Sequence, residues 1–172
     1  MQIIRDTRRL TVAAMLLALS VILSFLKIPV TNLIEIRFNS LPIAAVGYLF
    51  GPVMGGIVGM LADILGYIVK PTGPFFPGFT ISSAITGIIY GTLLWRKDVT
   101  LPRLALAEAV QTIVVSIFLN SYFLSVLYGN GFSVVLSARL LKSIVMLPIN
   151  VMLLFAIMKP LSNIGKDLMV SK

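Results

Sequence analysis

The sequence predicts an all-α integral membrane protein, a bundle of six transmembrane helices that forms a single membrane domain over residues 1–172. Hydrophobic residues make up 58% of the chain and charged residues only 12%, well below the charged fraction of soluble domains. The mean hydropathy is +1.03. Because one spanning helix needs about 20 residues, a chain of 172 residues has room for about six spans and no separate soluble domain.

Polar, proline and glycine residues separate six apolar runs along the chain. Lys27 and Pro29 end the first run, and Gly51-Pro52 turns the second run directly into the third. The segment 70–79 contains three prolines and two glycines, so we expect it to be non-helical. The expected spans are residues 9–26, 40–50, 53–69, 80–95, 104–127 and 133–158, of which the second is too short to cross as one straight helix.

The basic residues predict that both termini lie in the cytoplasm. Lysine and arginine outnumber the acidic residues 14 to 6, and they lie mostly at the ends of apolar runs, which topology explains better than nucleic-acid binding does. The predicted inner side holds Arg5, Arg8, Arg9, Arg96, Lys97, Arg103, Lys159, Lys166 and Lys172, whereas the outer side holds Lys27, Arg37 and Lys70.

The residue types exclude several kinds of chemistry. The chain contains no cysteine and no histidine, which removes thiol nucleophiles, imidazole bases and most zinc or haem ligation. We therefore expect neither a metal nor a cofactor. The chain also lacks a P-loop motif, so any energy from nucleotide hydrolysis must come from another protein.

Glycines recur at every fourth residue of the third run, at Gly51, Gly55 and Gly59, and the same helical face continues to Asp63 and Tyr67. Small residues at this spacing predict close packing against another helix. An unpaired carboxylate is costly in a membrane, so we expect Asp63 either to pair with a cation of the sixth run or to contact a ligand.

Two cations lie inside the sixth run. Arg139, Lys142 and Asn150 fall close to one helical face, because eleven residues bring a helix almost back to its starting direction. Two positive charges one turn apart repel each other, which predicts an anionic group between them, from either the protein or a ligand. Snorkelling of both side chains to the lipid headgroups is the alternative.

Polar and aromatic residues near the predicted outer side are further candidates for a binding site. Asn120 and Tyr122 lie near the outer end of the fifth run, whereas Glu108 and Gln111 lie near its inner end and are weaker candidates. Contacts between helices and interfacial anchoring explain such residues almost as well. The aromatic candidates of the proline-rich segment are Phe75, Phe76 and Phe79.

The first run carries a patch of small residues. Ala14 and Ala18 are four residues apart and share one helical face. A helix of a partner protein could dock there, although packing within the same chain is the default interpretation.

Several short motifs are distributed over nearly the whole chain. They are Arg-Phe-Asn-Ser-Leu-Pro at 37–42, Phe-Gly-Pro at 50–52, Phe-Pro-Gly-Phe-Thr at 76–80, Ile-Tyr-Gly at 89–91, Leu-Asn-Ser at 119–121, Tyr-Gly at 128–129, and Pro148. Together they resemble the folate-specific S components of energy-coupling factor (ECF) transporters. The Phe-Gly-Pro motif and the glycine stripe look like S components in general, whereas the Phe-Pro-Gly-Phe-Thr segment and the pair Arg139 and Lys142 look specific to the folate type.

The resemblance implies a multi-pass protein of a prokaryotic plasma membrane that binds folate with high affinity from outside and is not an enzyme. It also implies docking on a transmembrane coupling subunit through an Ala-x-x-x-Ala patch, which Ala14 and Ala18 match. Two cytoplasmic ATPases of the same complex would supply the energy for import.

Three groups of residues are expected to contact folate: aromatic side chains, a polar side chain that reads the edge of the pterin ring, and cations that balance negative charge. The aromatic residues are Tyr67, Phe75, Phe76, Phe79 and Tyr122, the edge is read by Asp63 or Asn120, and the cations are Arg139 and Lys142, with Arg37 or Lys70 near the glutamate tail.

Other functions remain open. The ligand could be another vitamin, such as riboflavin or thiamin, although a cationic ligand such as thiamin fits poorly beside two cations. An intramembrane enzyme is disfavoured, because the acidic residues are scattered and the usual catalytic bases and thiols are absent. A channel or a purely structural subunit has no evident use for the aromatic, proline-rich segment.

Overall fold

The computed structural model describes residues 7–25, 28–31, 34–36, 38–71, 74–129 and 132–170. Within these residues the chain forms six helical rods, because α5, a π-helix and α6 follow one another without a break. The helices are α1 (Thr7–Phe25), α2 (Ser40–Phe50), α3 (Pro52–Val69), α4 (Pro77–Leu94), α5 (Leu101–Gln111), the π-helix (Thr112–Leu119), α6 (Asn120–Tyr128) and α7 (Phe132–Val170).

The length and composition of the rods fit a membrane protein. Four of them are long and apolar enough to cross a bilayer, namely Pro52–Val69, Pro77–Leu94, Leu101–Leu127 and Val135–Ser162. The segments Arg9–Phe25 and Ser40–Phe50 are apolar but shorter. The predicted class, a helical membrane protein, is confirmed at this level, and the number of rods agrees with the predicted six.

Helix α2 differs from the other rods because neighbouring helices enclose it. Its 11 residues rise by about 16 Å, roughly half of the hydrocarbon core of a bilayer. Every residue from Leu41 to Phe50 is buried. As the sequence predicts, this helix is too short to cross a bilayer alone, and in the structure it packs inside the bundle.

Several helix ends differ from the prediction. Helix α4 begins at Pro77 and not at Thr80, since proline fits the first turn of a helix, where no backbone donor is needed. The expectation that the whole segment 70–79 is non-helical was therefore wrong for its last three residues. Helix α7 continues past residue 158 and contains both Pro148 and Pro160.

The segment between α1 and α2, for which the sequence analysis predicted no regular structure, contains a short antiparallel hairpin. Strand β1 (Ile28–Thr31) pairs with β2 (Ile34–Ile36), and Ile28 lies opposite Ile36. Alternating β-branched residues favour this extended pairing. The hairpin lies at the end of the bundle where α3 ends and α4 begins, and this end is called the hairpin end below.

Contact between backbones joins α2, α3 and α4. A Cβ atom built on Gly55 would lie 2.5 Å from the carbonyl oxygen of Gly87, and one built on Gly87 would lie 2.0 Å from the carbonyl oxygen of Gly55. A Cβ on Gly59 would lie 2.3 Å from the carbonyl oxygen of Ser83. The glycine stripe of α3 thus packs directly on α4, as its spacing predicts.

The close contact predicts that Gly87→Ala destabilises the protein strongly. The new methyl group would overlap the backbone of Gly55, which cannot move without separating α3 from α4, and overpacking of this kind costs about 1–3 kcal/mol or more. Thermal unfolding of the purified protein in detergent measures the loss.

Gly56→Ala is the matched control for this prediction. A Cβ on Gly56 would first meet Cγ1 of Ile88 at 3.0 Å, and that side chain can turn away. Equal melting temperatures for the two variants would contradict close backbone packing at Gly87.

Candidate functional site

A cavity of about 230 Å³ lies between the rods and reaches from the hairpin end toward the middle of the bundle. Phe75, Phe76 and Leu127 border it at the hairpin end, whereas Glu108 and Asn150 border its inner end. Each rod contributes at least one polar residue to the lining, including Ser24 of α1, Ser40 of α2, Asp63 of α3, Ser82 of α4, Gln111 of α5 and Ser143 of α7. The cavity is therefore polar for the interior of such an apolar protein.

A buried carboxylate forms the inner end of the cavity. The side chain of Glu108 is 1% exposed. The Tyr90 hydroxyl donates a hydrogen bond to Oε2 of Glu108, and Nδ2 of Asn150 donates one to Oε1 at 2.8 Å. These contacts join α4, α5 and α7, and they give the carboxylate the neutral donors that it needs away from water.

Two cations of α7 border the cavity closer to the hairpin end. Arg139 and Lys142 are both partly buried. Nη1 of Arg139 donates a hydrogen bond of 3.0 Å to the backbone oxygen of Ser116, which lies in the π-helix. π-Helical turns are frequent at functional sites. The guanidinium of Arg139 thus lies against the π-helix and borders the cavity.

Asp63 lies on the wall of the cavity and is held by a neutral partner. The hydroxyl of Thr80 donates a hydrogen bond of 2.8 Å to Oδ2 of Asp63. This bond joins α3 to the first turns of α4 near the hairpin end. The glycine stripe of α3 therefore leads, as its spacing predicts, to a carboxylate that borders the cavity.

Aromatic rings gather at the hairpin end of the cavity. The ring centroids of Tyr67 and Phe75 lie 5.1 Å apart. Phe76 lies 5.9 Å from Phe79 and 5.5 Å from Phe123 between ring centroids. Such tilted and edge-on pairs are favourable arrangements of aromatic rings. They give the mouth of the cavity an apolar, aromatic border.

Most of the residues predicted from the sequence border this cavity, and a few lie elsewhere. Lys70 and Tyr122 are exposed and do not border it, and Tyr122 is 59% exposed. Arg37 lies outside the residues that the structure describes. The predicted residues that border the cavity are Asp63, Tyr67, Phe75, Phe76, Phe79, Asn120, Arg139 and Lys142.

The predicted docking residues lie on the outer surface of α1. Ala14 and Ala18 are exposed, whereas the neighbouring Ala13 is 3% exposed. The face that carries Ala14 and Ala18 is therefore not the face that packs into the bundle.

Sequence reasoning undervalued Glu108 as a residue that borders the cavity, and it did not predict that Phe123 packs against Phe76 and Phe79 of the cavity lining. Glu108 was a weaker candidate because it lies near the inner end of its run, yet the cavity extends to that depth. Its isolation among apolar residues was the available signal, since a carboxylate inside a membrane span is by default a functional candidate. Phe123 had no such signal, because phenylalanine is common in spanning helices.

Comparison with known proteins places the chain among transport proteins. A family model described as "ECF transporter, substrate-specific component" matches residues 8–158. The folate transporter FolT of Clostridium novyi (strain NT) is 36% identical over 129 residues, which cover 75% of each protein. The riboflavin transporter RibU of Staphylococcus aureus (strain TCH60) is 30% identical over 158 residues, which cover 86% of this chain and 82% of the relative.

A solved structure has the same fold. The crystal structure of FolT bound with folic acid superposes with a TM-score of 0.82 at 30% sequence identity. The superposition covers 88% of this chain and 93% of that chain.

The contacts of Glu108 predict that Tyr90→Phe lowers the melting temperature. The substitution removes the phenolic donor and leaves one oxygen of a buried carboxylate with less hydrogen bonding, at a cost of about 1–3 kcal/mol. Thermal unfolding in detergent measures the loss. Thr92→Val is the control, because Thr92 is exposed and its hydroxyl donates to the backbone oxygen of Ile89 in its own helix. Similar melting of Tyr90→Phe and the wild type would contradict a stabilising role for the bond.

Proposed function

We propose that this chain, which belongs to the family of ECF transporter substrate-specific components, binds folate for import. The folate transporter FolT of Clostridium novyi and the solved structure of FolT with folic acid support this ligand by similarity. The cavity that opens toward the hairpin end is the single structural observation that carries the proposal.

The chemistry of folate suits this cavity. Folate joins a flat pterin ring and a second aromatic ring to a glutamate tail with two carboxylates. Arg139 and Lys142 border the cavity and offer charge-assisted hydrogen bonds to those carboxylates. Tyr67, Phe75 and Phe76 at the mouth offer aromatic surface on which a flat ligand can stack.

Polar side chains along the wall would orient the ligand. Asp63 and Asn120 both border the cavity. Oδ1 of Asn120 is buried and has no hydrogen-bond partner among the described residues, so a ligand donor at this position would satisfy it. Phe79 packs against Phe123 with ring centroids 6.3 Å apart and would support the aromatic mouth from behind.

The hairpin end would face the outside of the cell, with both termini in the cytoplasm. Arg96 and Lys97 are exposed in the connection between α4 and α5, at the end of the bundle opposite the hairpin. Basic residues favour the cytoplasmic side of a membrane. In this orientation, residues 1–172 act as one membrane domain that captures its ligand from outside.

Transport would need further subunits. The chain has no P-loop motif, so ATP hydrolysis would come from two cytoplasmic ATPases joined through a transmembrane coupling subunit. The exposed Ala14 and Ala18 of α1 are the proposed contact, because small residues let two helices approach closely in a membrane.

Isothermal titration calorimetry of the purified chain in detergent tests the ligand. We expect folic acid to bind with an affinity in the nanomolar range, and riboflavin and thiamin to bind far more weakly. Tight binding of riboflavin without binding of folic acid would contradict folate as the ligand but would agree with the family. The similarity to the riboflavin transporter RibU makes riboflavin the control ligand to measure.

The docking proposal predicts that the double substitution Ala14→Trp and Ala18→Trp abolishes folate uptake and preserves folate binding. Bulky side chains would keep the partner helix away from an exposed face, without disturbing the core of this chain. Uptake is measured in cells that co-express the coupling subunit and ATPases, and binding is measured by calorimetry.

Met152→Trp is the control for added bulk, because Met152 is 72% exposed on α7. This variant should import folate like the wild type. Loss of folate binding in the alanine variant would instead mean that these residues support the bundle itself.

A further inference from the structure

The inner end of the cavity presents hydrogen-bond acceptors. Glu108 and Asn150 border the cavity there, and the name inner subsite is used below for these two residues. The amide nitrogen of Asn150 faces Glu108 and donates to its Oε1 at 2.8 Å. The amide oxygen of Asn150 then points elsewhere and remains an acceptor.

This amide oxygen has no hydrogen-bond donor among the described residues. Oδ1 of Asn150 is buried and has no hydrogen-bond partner in the part of the chain that the structure describes. Burying an acceptor without a donor is costly, and a ligand that brings N–H groups removes that cost. Each carboxylate oxygen of Glu108 also has a second lone pair available beyond the bond from Tyr90 or Asn150.

The pterin ring of folate carries the matching groups. Its pyrimidine edge presents a 2-amino group beside the N3–H, two adjacent donors that a carboxylate can accept together. The corresponding edge of riboflavin presents one N–H between two carbonyl oxygens. Those oxygens would face the acceptors of the inner subsite, so the site favours an aminopyrimidinone over a dioxopyrimidine.

The spacing along α7 matches a molecule with opposite chemistry at its two ends. Lys142 lies eight residues and Arg139 eleven residues before Asn150, which corresponds to about 12 Å and 16 Å along a helix. All three side chains border the same cavity. An extended folate also separates its donor-rich ring from its carboxylates, so a pterin at the inner subsite sends the glutamate tail toward the cations.

We propose that Glu108, together with Asn150, binds the 2-amino and N3–H edge of the pterin ring and selects folate against vitamins that carry a dioxopyrimidine. This inference rests on the proposed folate function and deepens it. It assigns the edge of the ring to Glu108, and not to Asp63 or Asn120, and it fixes the direction of the ligand in the cavity.

The experiment compares two ligands that differ in the group at position 2 of the pterin ring. Calorimetry measures the affinity of the purified protein for folic acid and for the analogue in which the 2-amino group is replaced by oxygen. The wild type should prefer folic acid strongly. Glu108→Gln should lower the affinity for folic acid about tenfold or more. The ratio of the affinity for folic acid to the affinity for the analogue should fall by at least about tenfold, because the glutamine amide can donate a hydrogen bond to the oxygen of the analogue.

The ratio of the two affinities separates recognition from a merely structural role. In a variant that is only less stable, the affinities for the two ligands fall by the same factor, because both ligands bind the same folded protein. Asp98→Asn removes a carboxylate from the exposed connection between α4 and α5 and should keep the wild-type ratio. Lys142→Gln should weaken both ligands and also keep the ratio, because it acts at the other end of the ligand.

Each outcome decides the inference. A wild type that binds folic acid, combined with a Glu108→Gln variant that keeps the full preference, overturns this inference and leaves the proposed function intact. A wild type that binds no folic acid overturns both. If Glu108→Gln does not fold, Asn150→Ala replaces it, since Asn150 is only partly buried, and an unchanged ratio in that variant overturns the inference as well.

Discussion

The direct packing of α3 on α4 through glycine is the constraint on which the rest of the structure depends. With Gly55 and Gly87 in backbone contact, the two helices cannot slide or rotate without a clash. The contact therefore fixes the position of every residue of α4 along the axis of the bundle relative to α3. Thr80 and Tyr90 lie ten residues apart on that helix, about 15 Å along its axis, and each meets a carboxylate: Asp63 at the wall of the cavity and Glu108 at its inner end.

The two carboxylates that border the cavity accept hydrogen bonds from neutral donors. Asp63 accepts a bond from a threonine hydroxyl, and Glu108 accepts bonds from a phenol and an amide. Neutral donors of this kind stabilise a carboxylate away from water and leave further lone pairs on its oxygens. A ligand that brings hydrogen-bond donors can therefore still bind to these oxygens when it enters the cavity.

The sequence predicted features that follow from a repeat along one helix. The glycine stripe of α3 and the shared face of Arg139, Lys142 and Asn150 depend only on helical periodicity, and the structure has both. Features that depend on how separate helices meet were harder to predict. Tyr122 has the same local character as a binding residue, but the rotation of α6 turns it outward.

Depth along the bundle was the other quantity that the sequence did not provide. From the sequence, Glu108 is placed too far from the predicted outer side to belong to a site there. In the structure the cavity is deep enough to reach Glu108, whose side chain bonds to Tyr90 of α4 and Asn150 of α7. The strand pairing between Ile28 and Ile36 was missed for a related reason. Short extended segments without a turn signal give little evidence of a hairpin until both strands are seen together.

The enclosed helix α2 has a consequence for biogenesis. A segment of 11 residues that neighbouring helices bury on all sides cannot reside in the lipid alone, because it is too short to satisfy both interfaces. The turn at Gly51 joins it to α3 without an intervening loop. The hairpin of α2 and α3 is therefore the smallest part of this region that is long enough to span the bilayer, and α2 is enclosed only where α4 packs against it. For the centre of this protein, stable residence in the membrane then depends on packing between helices.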